Sequence, residues 1–205
     1  MPLSSRNKKI IVVGIIYIGI LASVIGWNWI QYQNRLQLSP CEDESWCVRV
    51  YGNVKEELSI GISYLTNNET FDYIPDTYFN MSNSWGTQYR RIYSGISVAD
   101  ILQSTQIIGP DAKYIQFESN DGFSSFLLPL QVVLENPQSV LLVHREGRQE
   151  IESKENGGDG PIMSFVALDI LQNNTEILLI FQENGQDFAY NSVYNVKYCN
   201  SIKII

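Results

Sequence analysis

The sequence predicts an α+β domain with mostly antiparallel strands, set behind one apolar N-terminal helix. Three observations predict it. Short apolar or alternating runs bounded by turn residues outnumber helical periods. Asn120-Asp121-Gly122 marks a hairpin between two such runs. The 21 residues Ile10–Ile30 carry no charge, a length that spans a bilayer as one helix. The expected boundaries are a tail over 1–9, an anchor over 10–30, a polar linker over 31–45 and a domain over 46–205.

The anchor comes first in the chain. Arg6, Lys8 and Lys9 precede it, and only Arg35 follows before an acidic stretch begins. The positive-inside rule then places the N-terminus in the cytoplasm and the domain outside the cell membrane, as a single-pass protein. Trp27, Trp29 and Tyr32 stand where an interfacial aromatic belt is expected. A cleaved signal peptide fits less well, because the apolar run is long and no small-x-small site follows it.

The domain opens with a strand, Trp46–Tyr51, in which Trp46, Val48 and Val50 share a face and Gly52 ends the run. Residues 66–92 have weak periodicity and many aromatics, which predicts a long irregular connection. Ser97-Val98-Ala99-Asp100 has the form of a capping box and starts a short helix. Strands follow over Lys113–Glu118 and Phe123–Leu128, flanking the hairpin turn. Pro129 opens a short helix through Leu134. Further strands are expected over Ser139–His144, Ile162–Leu168, Glu176–Phe181 and Val193–Ile204, with Glu146-Gly147 as a turn.

Charge narrows the function. All 22 acidic residues lie beyond Arg35, while Arg6, Lys8, Lys9 and Arg35 leave only 10 of the 14 basic ones there, a net of −12. Such a domain repels nucleic acid and anionic lipid headgroups, so no nucleic-acid partner is expected. Outside the cytoplasm Cys41 is expected to pair, either with Cys47 across a short loop or with Cys199 at the far end. Asn68, Asn80 and Asn173 head Asn-x-Ser/Thr sequons and are candidate glycosylation sites. His144 is the one histidine and no Cys-x-x-Cys occurs, so no metal site is expected and His144 reads as a strand residue. There is no Gly-x-Ser-x-Gly elbow, no support for a hydrolase triad and no phosphate-binding P-loop; no catalytic residue is nominated.

Several loops acquire meaning in order. Tyr93-Ser94-Gly95-Ile96-Ser97-Val98-Ala99-Asp100-Ile101-Leu102 resembles the Y-x-G-V-x-L-x-D-L-L segment of the sulfite-oxidase-like, oxidoreductase molybdopterin-binding domain. Ser119-Asn120-Asp121-Gly122-Phe123 is similar to that family's S-x-D-G-Y hairpin, and Gly157-Gly158-Asp159-Gly160-Pro161-Ile162 to its G-G-x-G-P-L loop. Trp46–Gly52 with Val54 resembles the opening strand, and Lys197 with Ser201–Ile204 the closing one. The resemblance covers residues 46–205. It implies a mixed, mostly antiparallel sheet architecture with short helices. It also implies that Gly157, Gly158, Gly160 and Lys197 are the positions that would hold a pterin phosphate.

Two departures cut against an enzyme. The family's molybdenum-ligating Cys lies between the first strand and the Tyr-x-Gly segment, but Thr77–Thr87 contains none and no Cys occurs between Cys47 and Cys199. A soft metal needs a soft anionic ligand. The arginine that closes the family's G-P-L-R motif is replaced by Met163, which removes a bidentate phosphate donor. The leading expectation is a membrane-anchored binding or structural module without a working molybdenum site or cofactor, with an unidentified protein or small-molecule partner. The first alternative is a molybdopterin-dependent oxidoreductase on the cell exterior. The second is a surface or filament subunit, oligomeric and glycosylated.

Overall fold

The computed structural model describes residues 19–20, 22–23, 26, 41, 46–61, 63, 65, 71–147, 149–150 and 162–205. The chain divides into two compact units, Met1–Leu38 and Ser39–Ile205. In the first unit, Gly19, Ile20, Ala22, Ser23 and Gly26 are helical, and the Ser23 hydroxyl donates to the Gly19 carbonyl at 2.8 Å. The rest of Ile10–Ile30 lies outside the described residues, and among those described no helix is long and apolar enough to cross a membrane.

The second unit holds two five-stranded sheets. The first follows the order β2-β1-β10-β5-β6, with β1 Cys47–Gly52, β2 Leu58–Gly61, β5 Tyr114–Ser119, β6 Leu128–Pro129 and β10 Cys199–Ile204. Alternation makes β1: Val48 and Val50 are fully buried while Arg49 points to solvent and pairs with Glu57 at 2.5 Å. The closing strand β10 lies parallel to β1, with Val50 opposite Ile202, and antiparallel to β5, with Ile202 opposite Phe117. Gly52 adopts φ +98°, and a Cβ there would stand 2.2 Å from the Ile204 carbonyl oxygen, so only glycine lets β1 and β10 approach.

The second sheet follows β3-β4-β7-β8, with β9 also on β7: β3 Tyr73–Ser82, β4 Gln88–Ser97, β7 Val140–Glu146, β8 Gln149–Glu150 and β9 Met163–Val166. Thus the irregular connection expected over 66–92 is corrected from residue 73 onward. It is a ten-residue strand and the start of another, paired as a hairpin. The strand escaped detection for physical reasons. It is an edge strand carrying Pro75 and a register shift between Ile74 and Thr77, both of which disturb a period of two.

Helix α1, Val98–Thr105, begins where expected, with Asp100 N–H donating to Ser97 Oγ at 3.2 Å. The pair does not close on itself, as a capping box would. Asp100 Oδ2 accepts from Asp72 N–H at 2.8 Å, and Ser97 N–H donates to the Asp72 carbonyl at 3.0 Å. Ser97 and Asp100 together therefore fasten the start of the β3 hairpin to the helix.

Four further expectations need correction. Phe123–Leu128 is not a strand; β6 is only Leu128–Pro129. Its place is taken by Ser125, whose Oγ accepts from Phe117 N–H at 3.0 Å while its own N–H donates to the Phe117 carbonyl at 2.9 Å. The hydroxyl substitutes for a ladder carbonyl. Glu176–Phe181 is helical, within α4 Thr175–Glu183. Asn174 caps it, and the i, i+4 pair Ile177 and Phe181 is buried. Ile162–Leu168 shortens to β9, followed by α3 Leu168–Gln172. Val193–Ile204 splits into a 3₁₀ turn, Asn191–Tyr194, and β10. The expected Pro129 helix forms as α2, Leu130–Glu135.

Candidate functional site

Met163 and one residue of the cysteine-free interval Thr77–Thr87 fall in the same buried cluster. Met81, from the interval Thr77–Thr87, and Met163, from the arginine position, belong to one buried cluster with Tyr93, Leu141, Val143, Phe165 and Ala167. Alternation along β3 aims Phe79 and Met81 inward, while Tyr78 and Asn80 point out. The Phe79 ring lies 4.6 Å from Phe165, and Tyr93 lies 5.0 Å from Phe165, both tilted. These are favourable ring geometries that add to the burial itself. Burial, with Glu146 nearby, pushes the Tyr93 hydroxyl well above the usual phenol range, so it stays neutral. The cluster is buried and hydrophobic.

A polar seam closes one side of it. Asn191, fully buried in the 3₁₀ turn, accepts from Ser82 N–H at 2.8 Å and donates to the Asn80 carbonyl at 3.1 Å. Its amide satisfies the open edge of β3 as another strand would. Ser164 on β9 donates its hydroxyl proton to the Tyr194 carbonyl at 2.6 Å and accepts from Val196 N–H at 3.1 Å. Tyr194, itself fully buried, donates to the Leu127 carbonyl at 3.1 Å. Nothing in the spacing of the sequence announced Asn191; a lone Asn in a polar segment carries no signal.

Of the sequence-nominated cofactor-binding residues, Lys197 is the one among those described. Lys197 forms an isolated bridge to Met163 and its side chain is exposed, so it stands at the rim of the cluster rather than within it. Gly157, Gly158 and Gly160 lie outside the described residues. Gly95 does not make a turn. It lies within β4, where a Cβ would come 2.3 Å from the Leu142 carbonyl oxygen, so glycine is needed for strand contact. Asp121 accepts from the Ser119 hydroxyl and, at 3.0 Å, from Phe123 N–H, bonds that hold its carboxyl below the ordinary range. That residue builds the turn, with Gly122 at φ +88°.

The cysteines divide. Cys41 and Cys47 form a disulfide, the short-loop alternative, and Cys199 is the free one. Cys199 sits on β10, in the first sheet, opposite Ser119. Burial pushes its thiol up to about 12, so it is neutral at physiological pH. His144 lies on β7 as expected, buried, with its ring 5.6 Å from Tyr73. Among the described residues no group of three or more His, Cys, Asp or Glu is placed to hold a metal ion. Of the sequons, Asn80 and Asn173 are exposed, Asn80 accepts from Arg90 Nε at 3.2 Å, and Asn68 lies outside the described residues.

A second concavity exists elsewhere. An open groove of about 430 Å³ runs between α2 and β5, lined among others by Lys113, Tyr114, Pro129, Leu130, Leu134 and Glu176. Tyr114 donates to Glu176 across it at 2.9 Å. None of the sequence-nominated residues lines it.

The chain matches no protein-family profile and no curated protein sequence. Among solved structures it is similar to the sulfane dehydrogenase SoxCD from Paracoccus pantotrophus, with a TM-score of 0.55 at 12% identity. The match covers 82% of this chain and 40% of that one, so this chain spans about two-fifths of its length. The likeness is one of fold.

Proposed function

We propose that residues 46–205 form a sulfite-oxidase-like domain in which packing has replaced the molybdopterin centre. The domain then acts as a binding or structural module, held outside the membrane by Ile10–Ile30. One observation carries this reading: Met163, at the position where the family pattern calls for an arginine, and Met81, from the interval where it calls for a thiolate, belong to one buried hydrophobic cluster. The donor set does not fit the cofactor. Two of the three cysteines are bonded to each other and the third is a neutral buried thiol in the other sheet. A neutral thiol is a poor ligand for a soft metal. Tyr93 is likewise neutral.

The oxidoreductase alternative draws on Lys197, whose exposed ammonium stands beside Met163 and could meet a phosphate. One experiment separates the two readings. Purified protein is analysed for molybdenum and extractable pterin, and assayed for sulfite oxidation. Our reading expects neither stoichiometric metal nor pterin, and no turnover. Pterin copurifying at near one per chain, and removed by Lys197→Ala, would establish the alternative instead.

A further inference from the structure

The β3–β4 hairpin carries a surface that its fold does not require. Its tip, Asn83–Thr87, is tightly built. Asn83 N–H donates to the Thr87 carbonyl at 3.2 Å and Gly86 N–H to the Asn83 carbonyl at 2.9 Å. The Asn83 side-chain oxygen accepts from both Trp85 and Thr87 N–H groups, each at 3.0 Å. This ordered loop presents Trp85 with 89% of its surface exposed; Tyr78 is 70% exposed on the same hairpin. Tyr89 and Phe188 are also exposed, and the Phe188 ring approaches the tip at Gly86. An indole held out in water by a rigid turn contributes nothing to the core, and clustered exposed aromatics mark an interaction surface.

Charge selects the partner. From Thr77 to Tyr93 there is no acidic residue, and Arg90 and Arg91 supply two positive charges, within a domain otherwise dominated by acid. Arg91 lies 5.4 Å over the Tyr89 ring and pairs with Glu146 at 2.9 Å; Arg90 is held by Asn80. Trp85 at the tip and Tyr89 next to it, with the guanidinium groups of Arg90 and Arg91 following along β4, match the profile of a headgroup layer. There, Trp and Tyr settle at the interface and anionic lipid attracts the cations. A short path of contacts also joins the linker's entry to this hairpin. Trp46 Nε1 donates to the Cys199 carbonyl at 3.2 Å, Cys199 N–H donates to the Ile162 carbonyl at 2.9 Å, and the neighbouring Met163 shares the Met81 cluster.

We infer that the β3–β4 hairpin is a second lipid-contacting element, docking Trp85 at its tip into the headgroup layer of an anionic membrane. This rests on the reading of Ile10–Ile30 as an anchor, and the test separates the two. The full chain carrying Trp27→Phe and Trp29→Phe, which leaves Trp46 and Trp85 to emit, is reconstituted in vesicles with brominated acyl chains. One set is phosphatidylcholine alone; the other also contains phosphatidylglycerol. A further Trp85→Phe substitution isolates the Trp85 signal.

The expected result is bromine quenching of Trp85 and shielding from acrylamide in the phosphatidylglycerol vesicles. Arg90→Gln with Arg91→Gln should lower the docked-to-free ratio roughly 25-fold, since each surface cation contributes about a factor of five. If the chain fails to float with vesicles, both the anchor and the docking fail. If it floats while Trp85 stays open to acrylamide, the anchor stands and the docking falls. If Trp85 is shielded from acrylamide but untouched by bromine, the tip is covered by a second copy of the chain, and the lipid assignment is wrong.

Discussion

The two sheets bury different chemistry. In the first, Val48, Val50, Ile60, Ile115, Phe117, Ile202 and Ile204 are sealed at the centre of short strands, six of the seven being β-branched aliphatic residues. In the second, the buried centre is built from Met81, Tyr93, Met163 and Phe165 with smaller neighbours. Branched aliphatics suit a pleated surface intrinsically, whereas Met and aromatic rings fill irregular space. The difference teaches where the architecture is specified and where it has been altered. Sheet one closes the domain by placing the last strand beside the first. Sheet two holds Met163, which stands where the G-P-L-R pattern has an arginine, and Met81, from the interval Thr77–Thr87 that lacks a cysteine.

The largest expected effect comes from reversing that replacement. Met163→Arg restores the side chain of the G-P-L-R motif, but among the uncharged side chains of the buried cluster. An unpaired buried charge should cost about 3–5 kcal/mol, read as a lower urea midpoint at unchanged slope. Should the variant instead keep its stability and capture phosphate or pterin, the cluster is a cavity that ligand can open, and the contrast between the sheets collapses.

Legibility in the sequence follows the same division. β1, β5 and β10 were readable because Val48/Val50, Ile115/Phe117 and Ile202/Ile204 alternate with polar neighbours. β3 was not. Tyr78 and Trp85 are as aromatic as Phe79 and Tyr93, yet the first two are exposed, so hydrophobicity alone could not assign a face. α4 was misread because Leu178, Leu179 and Ile180 form an unbroken apolar run; only the Asn174 cap and the Ile177–Phe181 spacing mark it as helix. The substitution at Met163 could be read directly. That Met81 lies against it could not, since the residues are joined only through the β4 and β7 pairings.

A smaller effect sharpens the picture at the seam. Asn191→Ala removes both the acceptor of Ser82 N–H and the donor to the Asn80 carbonyl. Leaving buried backbone groups unpaired should cost about 1–3 kcal/mol. Because the Asn80 and Ser82 groups lie on the open edge of β3, hydrogen exchange at Ser82 should quicken with the loss. Amides of β1 and β10 should change only through global stability. Equal local quickening in both sheets would show that the seam is not specific to the second.

The smallest effect is absent at neutral pH and separates the sheets by titration. Burial raises the Cys199 thiol in the first sheet from its ordinary 9.0 to about 12, and raises the Tyr93 phenol in the second above its ordinary 10.0. Each group favours its neutral form in the fold. Each contribution is therefore complete below the unfolded value and is lost as pH rises through the window up to the folded one. Between pH 9 and 10 the thiol window is open while the phenol window is not, so alkaline loss of stability should begin with Cys199. Tyr194, also raised above 10.0 by burial, joins Tyr93 only later. Cys199→Ala should flatten the pH dependence of the urea midpoint from pH 9 upward, whereas Tyr93→Phe should flatten it only above 10. A Cys199→Ala protein that still loses stability between pH 9 and 10 would mean that the first sheet does not seal its thiol from water.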